Sequence, residues 1–102
     1  MLNNLMLVGR LTADPVIKDK VLSVVVAVNR QFKNEEGIYE TDLIPVILWN
    51  GVAEQVSEYC KKGDLIGIRG RIEENDGNIE IIAEKVTFLS SKPKEENDGN
   101  NK

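Results

Sequence analysis

Apolar and polar positions alternate along most of this chain with the two-residue period of half-buried strands. The first run is Asn4–Thr12, rich in Leu, Met and Val, and Asp14-Pro15 breaks it. Val21–Arg30 is a long β-branched run and the clearest strand signal in the chain. Lys33–Gly37 is polar and reads as a loop. Tyr39–Trp49 predicts a third strand, with Ile44, Val46 and Leu48 on one face and Leu43, Pro45, Ile47 and Trp49 on the other. Pro45 cannot donate to a ladder, so its presence predicts a sheet edge or a bulge. At Asn50 the period changes. Val52, Val56, Tyr59 and Cys60 recur at helical spacing, with Asn50 as the expected N-cap, Lys61-Lys62 beside the C-terminal dipole and Gly63 as a left-handed stop. Leu65–Glu73 predicts a fourth strand, Ile66, Ile68 and Ile72 on one face and Arg69 and Arg71 on the other. Asn75-Asp76-Gly77-Asn78 is a tight-turn signal, and Asn78–Leu89 completes a fifth strand.

Five strands with one helix between the third and fourth is the element order of the OB-fold, a partly open Greek-key barrel in the all-β class. Residues 1–90 are expected to form that single domain. Residues 91–102 contain no apolar side chain and are expected to be a disordered polar tail. A chain of 102 residues, 41% apolar, suits one modest core. No apolar stretch nears the roughly 18 residues that span a bilayer, and the first residues lack a basic start and an apolar run. The expectation is therefore a cytoplasmic protein away from membranes. The lone cysteine, Cys60, rules out an intrachain disulfide framework, and it sits on the apolar side of the helix as a buried small hydrophobe. With no histidine, Cys–His and Ser–His catalysis is excluded, and a zinc site would have to be built from one thiolate and carboxylates. The carboxylates lie in predicted turns and form no paired acid–base site. The sequence thus predicts no enzyme, metal, cofactor or small-molecule substrate.

The net charge of −4 argues against a polyanionic partner, until the placement of the charges is considered. Acidic residues gather at Glu35-Glu36, Glu73-Glu74-Asp76 and Glu95-Glu96-Asp98, whereas Arg10, Arg30, Lys33, Arg69 and Arg71 fall in or beside strands. A backbone-tracking groove needs only a local basic strip. An OB barrel that binds single strands adds aromatic platforms on which bases stack, and Trp49 and Phe32 are the candidates. The plainer alternatives are that Trp49 closes one end of the barrel, that Phe32 fills a loop cluster and that the cations are ordinary solvated positions. The residues alone leave both readings open.

Several segments resemble bacterial single-stranded DNA-binding proteins. They are Met1–Pro15 (MLNNLMLVGRLTADP), Ala27–Lys33 (AVNRQFK), Trp49 with Ala53-Glu54, Tyr59–Ile66 (YCKKGDLI) and Gly67–Ile72 (GIRGRI), in order and at compatible spacing. The resemblance covers nearly the whole folded part. It implies an OB-fold protein that coats and protects single-stranded DNA during replication, recombination and repair, without sequence preference. It also implies base stacking on Trp49 and Phe32, phosphate contacts from the cations, and a homotetramer in which first strands pair through Leu5, Met6 and Leu7.

Four departures qualify the match. Family members usually carry a tryptophan near Leu43, and their fourth and fifth strands extend into a long basic, aromatic hairpin that is short and acidic here. The Val16–Val21 connection is contracted. The tail lacks the acidic run and hydrophobic tip that recruit replication and repair proteins, so C-terminal partner docking is not expected. Such a compact form is similar to those carried by phages, plasmids or integrative elements. The alternative reading is a primosome-type OB protein acting mainly through a helicase-loading partner. A different class, an OB module used only for protein interaction, requires a buried Trp49 and no salt-sensitive DNA binding.

Overall fold

The computed structural model describes residues 1–90 of the 102-residue chain, so the expected tail at 91–102 lies outside the described residues. Five strands, β1 (Leu5–Leu11), β2 (Val21–Lys33), β3 (Tyr39–Trp49), β4 (Leu65–Asn75) and β5 (Asn78–Phe88), and one helix, α1 (Asn50–Tyr59), follow in the expected order. The strands close into a barrel in the order β1-β2-β3-β5-β4, with β4 returning to β1. Alternation inside each strand feeds the core: Leu22, Val26, Val46, Leu48 and Ile66 are almost completely buried, and α1 adds Ala53 and Val56. Burying one such side chain contributes roughly 1.5–3 kcal/mol. These side chains, with the strand ladders, hold the barrel shut.

Closure depends on two glycines. A Cβ on Gly9 would collide with the Ala27 carbonyl oxygen, where β1 crosses close to β2. A Cβ on Gly70 would collide with the Ile82 carbonyl oxygen, where the β4–β5 register shifts. At that shift Arg69 faces Lys85 and Gly70 faces Ala83, so Glu84 is the extra residue of a bulge. Ala83 and Val86, three residues apart across the bulge, consequently both face the core.

Some local expectations are corrected. Asn50 is not the N-cap: Trp49, in extended conformation, holds that position, no side chain caps the helix, and Asn50 enters it at φ +52°. The helix ends at Tyr59, so Lys61 and Lys62 lie beyond its last turn. Gly63 does have a left-handed backbone, φ +91°, but in the following turn, where its N–H donates to the Leu11 carbonyl. Pro45 causes no bulge, because the β2–β3 register runs unbroken from Val21↔Trp49 to Asn29↔Thr41. It sits just before the two positions, Val46 and Ile47, at which β3 meets β5, so its missing donor leaves that junction intact. Ile72, expected beside Ile66 and Ile68 in the core, is 44% exposed because β4 has by then run past β1.

Candidate nucleic-acid interface

The β2–β3 ladder positions most of the residues that matter. Strand parity puts Tyr39, Thr41, Leu43, Pro45, Ile47 and Trp49 on its outer face, opposite the row Ile44, Val46 and Leu48 that enters the core. Trp49 is 51% exposed, Leu43 64% and Tyr39 53%. A tryptophan closing the barrel end would be buried; this one presents half its surface to solvent. Phe32 is 82% exposed in the irregular stretch between Asn29 and Lys33. The two expected platforms are not adjacent. Trp49 pairs with Val21 at one end of the ladder, and Phe32 lies at the other.

The five cations differ sharply in their freedom. Val28 faces Asp42, so Arg30, two residues on, reaches the same side and grips the Asp42 carboxylate through Nε and Nη2, with Nη2 at 2.9 Å. Its Nη1 donates to Glu40 at 2.6 Å. The hydrogen bond to Asp42, then the nearby negative charge, holds the guanidinium above its ordinary pKa; Arg30 in turn lowers that of Asp42. Arg71 is held by Glu73 and, at 3.0 Å, by Glu84, and the Arg71 hydrogen bond lowers the pKa of Glu73. Arg10 donates to the Gly63 carbonyl at 3.0 Å. Lys33 stands over the Tyr39 ring, 5.6 Å from its centroid. Among the described residues Arg69 makes no ion pair or side-chain hydrogen bond. It faces Met6 on one side and Lys85 on the other, on the β1/β4/β5 flank.

Of the expected interface residues, Met6 is 80% exposed, while Leu5 is half-buried and Leu7 packs against the core. Val8 rather than Leu7 shares the outward face with Met6. β1 meets β2 only at Arg10 and Leu11, which leaves the β2-facing edge of Leu5–Gly9 without a strand partner among the described residues. Two exposed side chains escaped the sequence reading. Tyr39 was legible as an even offset from Trp49; Lys85 was not, because its pairing with Arg69 depends on the bulge.

Other chemistry finds little support. Burial, with the negative charge of Asp64, pushes the Cys60 thiol up to about 11, which keeps it protonated and inert near neutrality. Among the described residues no group of Cys, Asp and Glu gathers into a metal-binding cluster, and no helix is long and apolar enough to cross a membrane.

A closed OB barrel with an exposed aromatic and aliphatic row, and no helix shaped to read a groove, defines a protein that binds extended ligands on its strand surface. The chain belongs to the single-strand binding protein family, whose model matches residues 2–89. It is 41% identical to Single-stranded DNA-binding protein B of Bacillus subtilis, across 93% of this chain and 96% of that protein. It is 44% identical to Single-stranded DNA-binding protein 3 of Listeria innocua, across 90% of this chain but 66% of that longer protein. Among solved structures it is similar to a Plasmodium falciparum SSB in complex with ssDNA, with a TM-score of 0.71 and 25% identity over 87% of this chain and 96% of the other. A single-stranded DNA-binding protein of Thermus aquaticus gives 0.70 and 29% over 86% of this chain and 50% of the other.

Proposed function

We propose that this member of the family coats single-stranded DNA without reading its sequence, on the outer face of the β2–β3 ladder. The observation that carries the reading is Trp49, half exposed at the end of an outward apolar row, where a base can stack on it regardless of identity. Phe32 serves as a further platform, and Lys33, Arg10 and Arg69 supply phosphate contacts. Arg30 and Arg71 contribute less, because each must first leave carboxylates that already satisfy it. The role is binding and protection of unpaired DNA in replication, recombination and repair within the cytoplasm, with no reaction catalysed. The primosome-type alternative has no comparable support, since the curated relatives carry the single-stranded DNA-binding name.

A homo-oligomer, a tetramer of paired dimers, accounts for the open β1 edge and the exposed Met6 and Val8, which a second copy would cover. The test of function is a titration with oligothymidylate followed by fluorescence of the sole tryptophan at two salt concentrations. Binding should quench Trp49 and weaken with salt, log K falling by about 0.7 per log unit of salt for each phosphate neutralised. Equal affinity for duplex of the same length would overturn the proposal.

A further inference from the structure

We infer that Tyr39 and Lys33 form a second contact station for the strand at the far tip of the β2–β3 ladder, a base stacking on the tyrosine while the lysine meets the adjoining phosphate. The inference rests on the proposed use of this face by single-stranded DNA. Tyr39 and Trp49 are ten positions apart on β3, an even offset, so both rings project from the same side. Their exposures match, at 53% and 51%. The other tyrosine, Tyr59, has its ring edge-to-face with Phe88 at 5.9 Å, whereas Tyr39 has no aromatic neighbour among the described residues.

Lys33 is directly opposite Tyr39 in the ladder, and its ammonium stands over the ring, 5.6 Å from the centroid, within reach of the phosphate of a base that displaces it from the ring face. The carboxylates of Glu40 and Asp42 belong to the opposite face, where Arg30 engages them, so a strand crossing the tyrosine side avoids most of their repulsion. The tip is also preorganised. The Asn34 side-chain oxygen accepts the N–H groups of Glu36 at 2.9 Å and Ile38 at 3.0 Å, and the Asn34 N–H donates to the Ile38 carbonyl at 2.8 Å. A station already ordered loses little entropy on binding.

Ten residues of strand span about 34 Å, so an oligonucleotide held at Trp49 must be long to touch Tyr39 as well. That separation supplies the test. With the full chain and fluorescence of Trp49 as readout, Tyr39→Ala should weaken a long oligothymidylate, of roughly 30 nucleotides, by about 5- to 150-fold. It should leave the quench by a short one, of roughly four nucleotides, unchanged, which also shows that the barrel is folded. Tyr39→Phe should restore most of the long-oligonucleotide affinity. Lys33→Ala should make the salt slope for the long oligonucleotide shallower by about 0.7, whereas Arg30→Ala should leave it nearly unaltered. Wild-type affinity of Tyr39→Ala for the long oligonucleotide overturns the inference while the reading of the face stands. Failure of the unmodified chain to bind either oligonucleotide overturns that reading itself.

Discussion

The β2–β3 and β4–β5 hairpins are alike in construction. Each is antiparallel, and each continues as two strands alone, past Ala27 in one and past Ile72 in the other. Each turns on left-handed residues, Gly37 at φ +80° in the first and Asp76 and Gly77 at +52° and +82° in the second. Both extensions carry more carboxylates than cations. They differ in sidedness. On β2–β3, Arg30, Glu40 and Asp42 satisfy one another on one face and leave Lys33, Tyr39 and Leu43 on the other. On β4–β5, Arg71 is the sole cation up to Glu84, and Glu73 and Glu84 hold it. Net charge therefore says little about where a polyanion can lie; what matters is whether charges cancel on the face that binds or on its reverse.

The strongest way to break this contrast is Trp49→Ala, which should cost roughly 1–3 kcal/mol of affinity for single-stranded DNA. Its melting temperature should change little, because half the side chain is already in solvent; a large fall in calorimetry with normal binding would assign Trp49 to the core. Gly70→Ala should do the reverse. Crowding at the β4–β5 bulge should destabilise the fold by about 1–3 kcal/mol in urea titrations. DNA affinity measured below the unfolding transition should stay at the wild-type level. A subtler change is the double variant Glu40→Gln with Asp42→Asn, which frees Arg30. Because Arg30 stands on the reverse of the binding face, affinity should rise by less than about twofold and the salt slope should stay nearly unaltered, in fluorescence titrations at graded salt.

The smallest effect is in acid. The pKa values of Asp42 and Glu73 are held below their ordinary values of 3.8 and 4.5, so their contributions to stability are present above those values. They fade as pH falls through the lower folded values. Both pairs are solvent-exposed, and Glu73→Gln should remove only a slight part of the acid-side loss of melting temperature.

The barrel was legible because β-branched runs such as Val21–Arg30 and the Asn75–Asn78 turn carry their geometry in local chemistry. The extension of β2 to Lys33 was missed, since Gln31, Phe32 and Lys33 have no alternation to extend. The position of Ile72 was hidden because its exposure depends on where β4 outruns β1, a fact of closure rather than of β4 itself. The site was half legible. Trp49 announced its outward face by parity with Leu48 and Val46. The occupation of Arg30 by Asp42 could not be seen before the register Val28↔Asp42 was fixed.

The junction between β3 and β5 has a consequence for how the molecule breathes. Only two register pairs, Val46↔Ile81 and Ile47↔Ile82, join these strands, whereas the hairpins on either side are paired almost throughout. The partners are 35 residues apart in sequence, from 46 to 81, so this seam gains little from local chain closure and should zip after the two hairpins that flank it. In deuterated buffer the amides that bridge it should exchange through a low-energy opening, while those in the middle of the β2–β3 ladder wait for global unfolding. The barrel would then open like a book along one short spine, each hairpin remaining intact as a page.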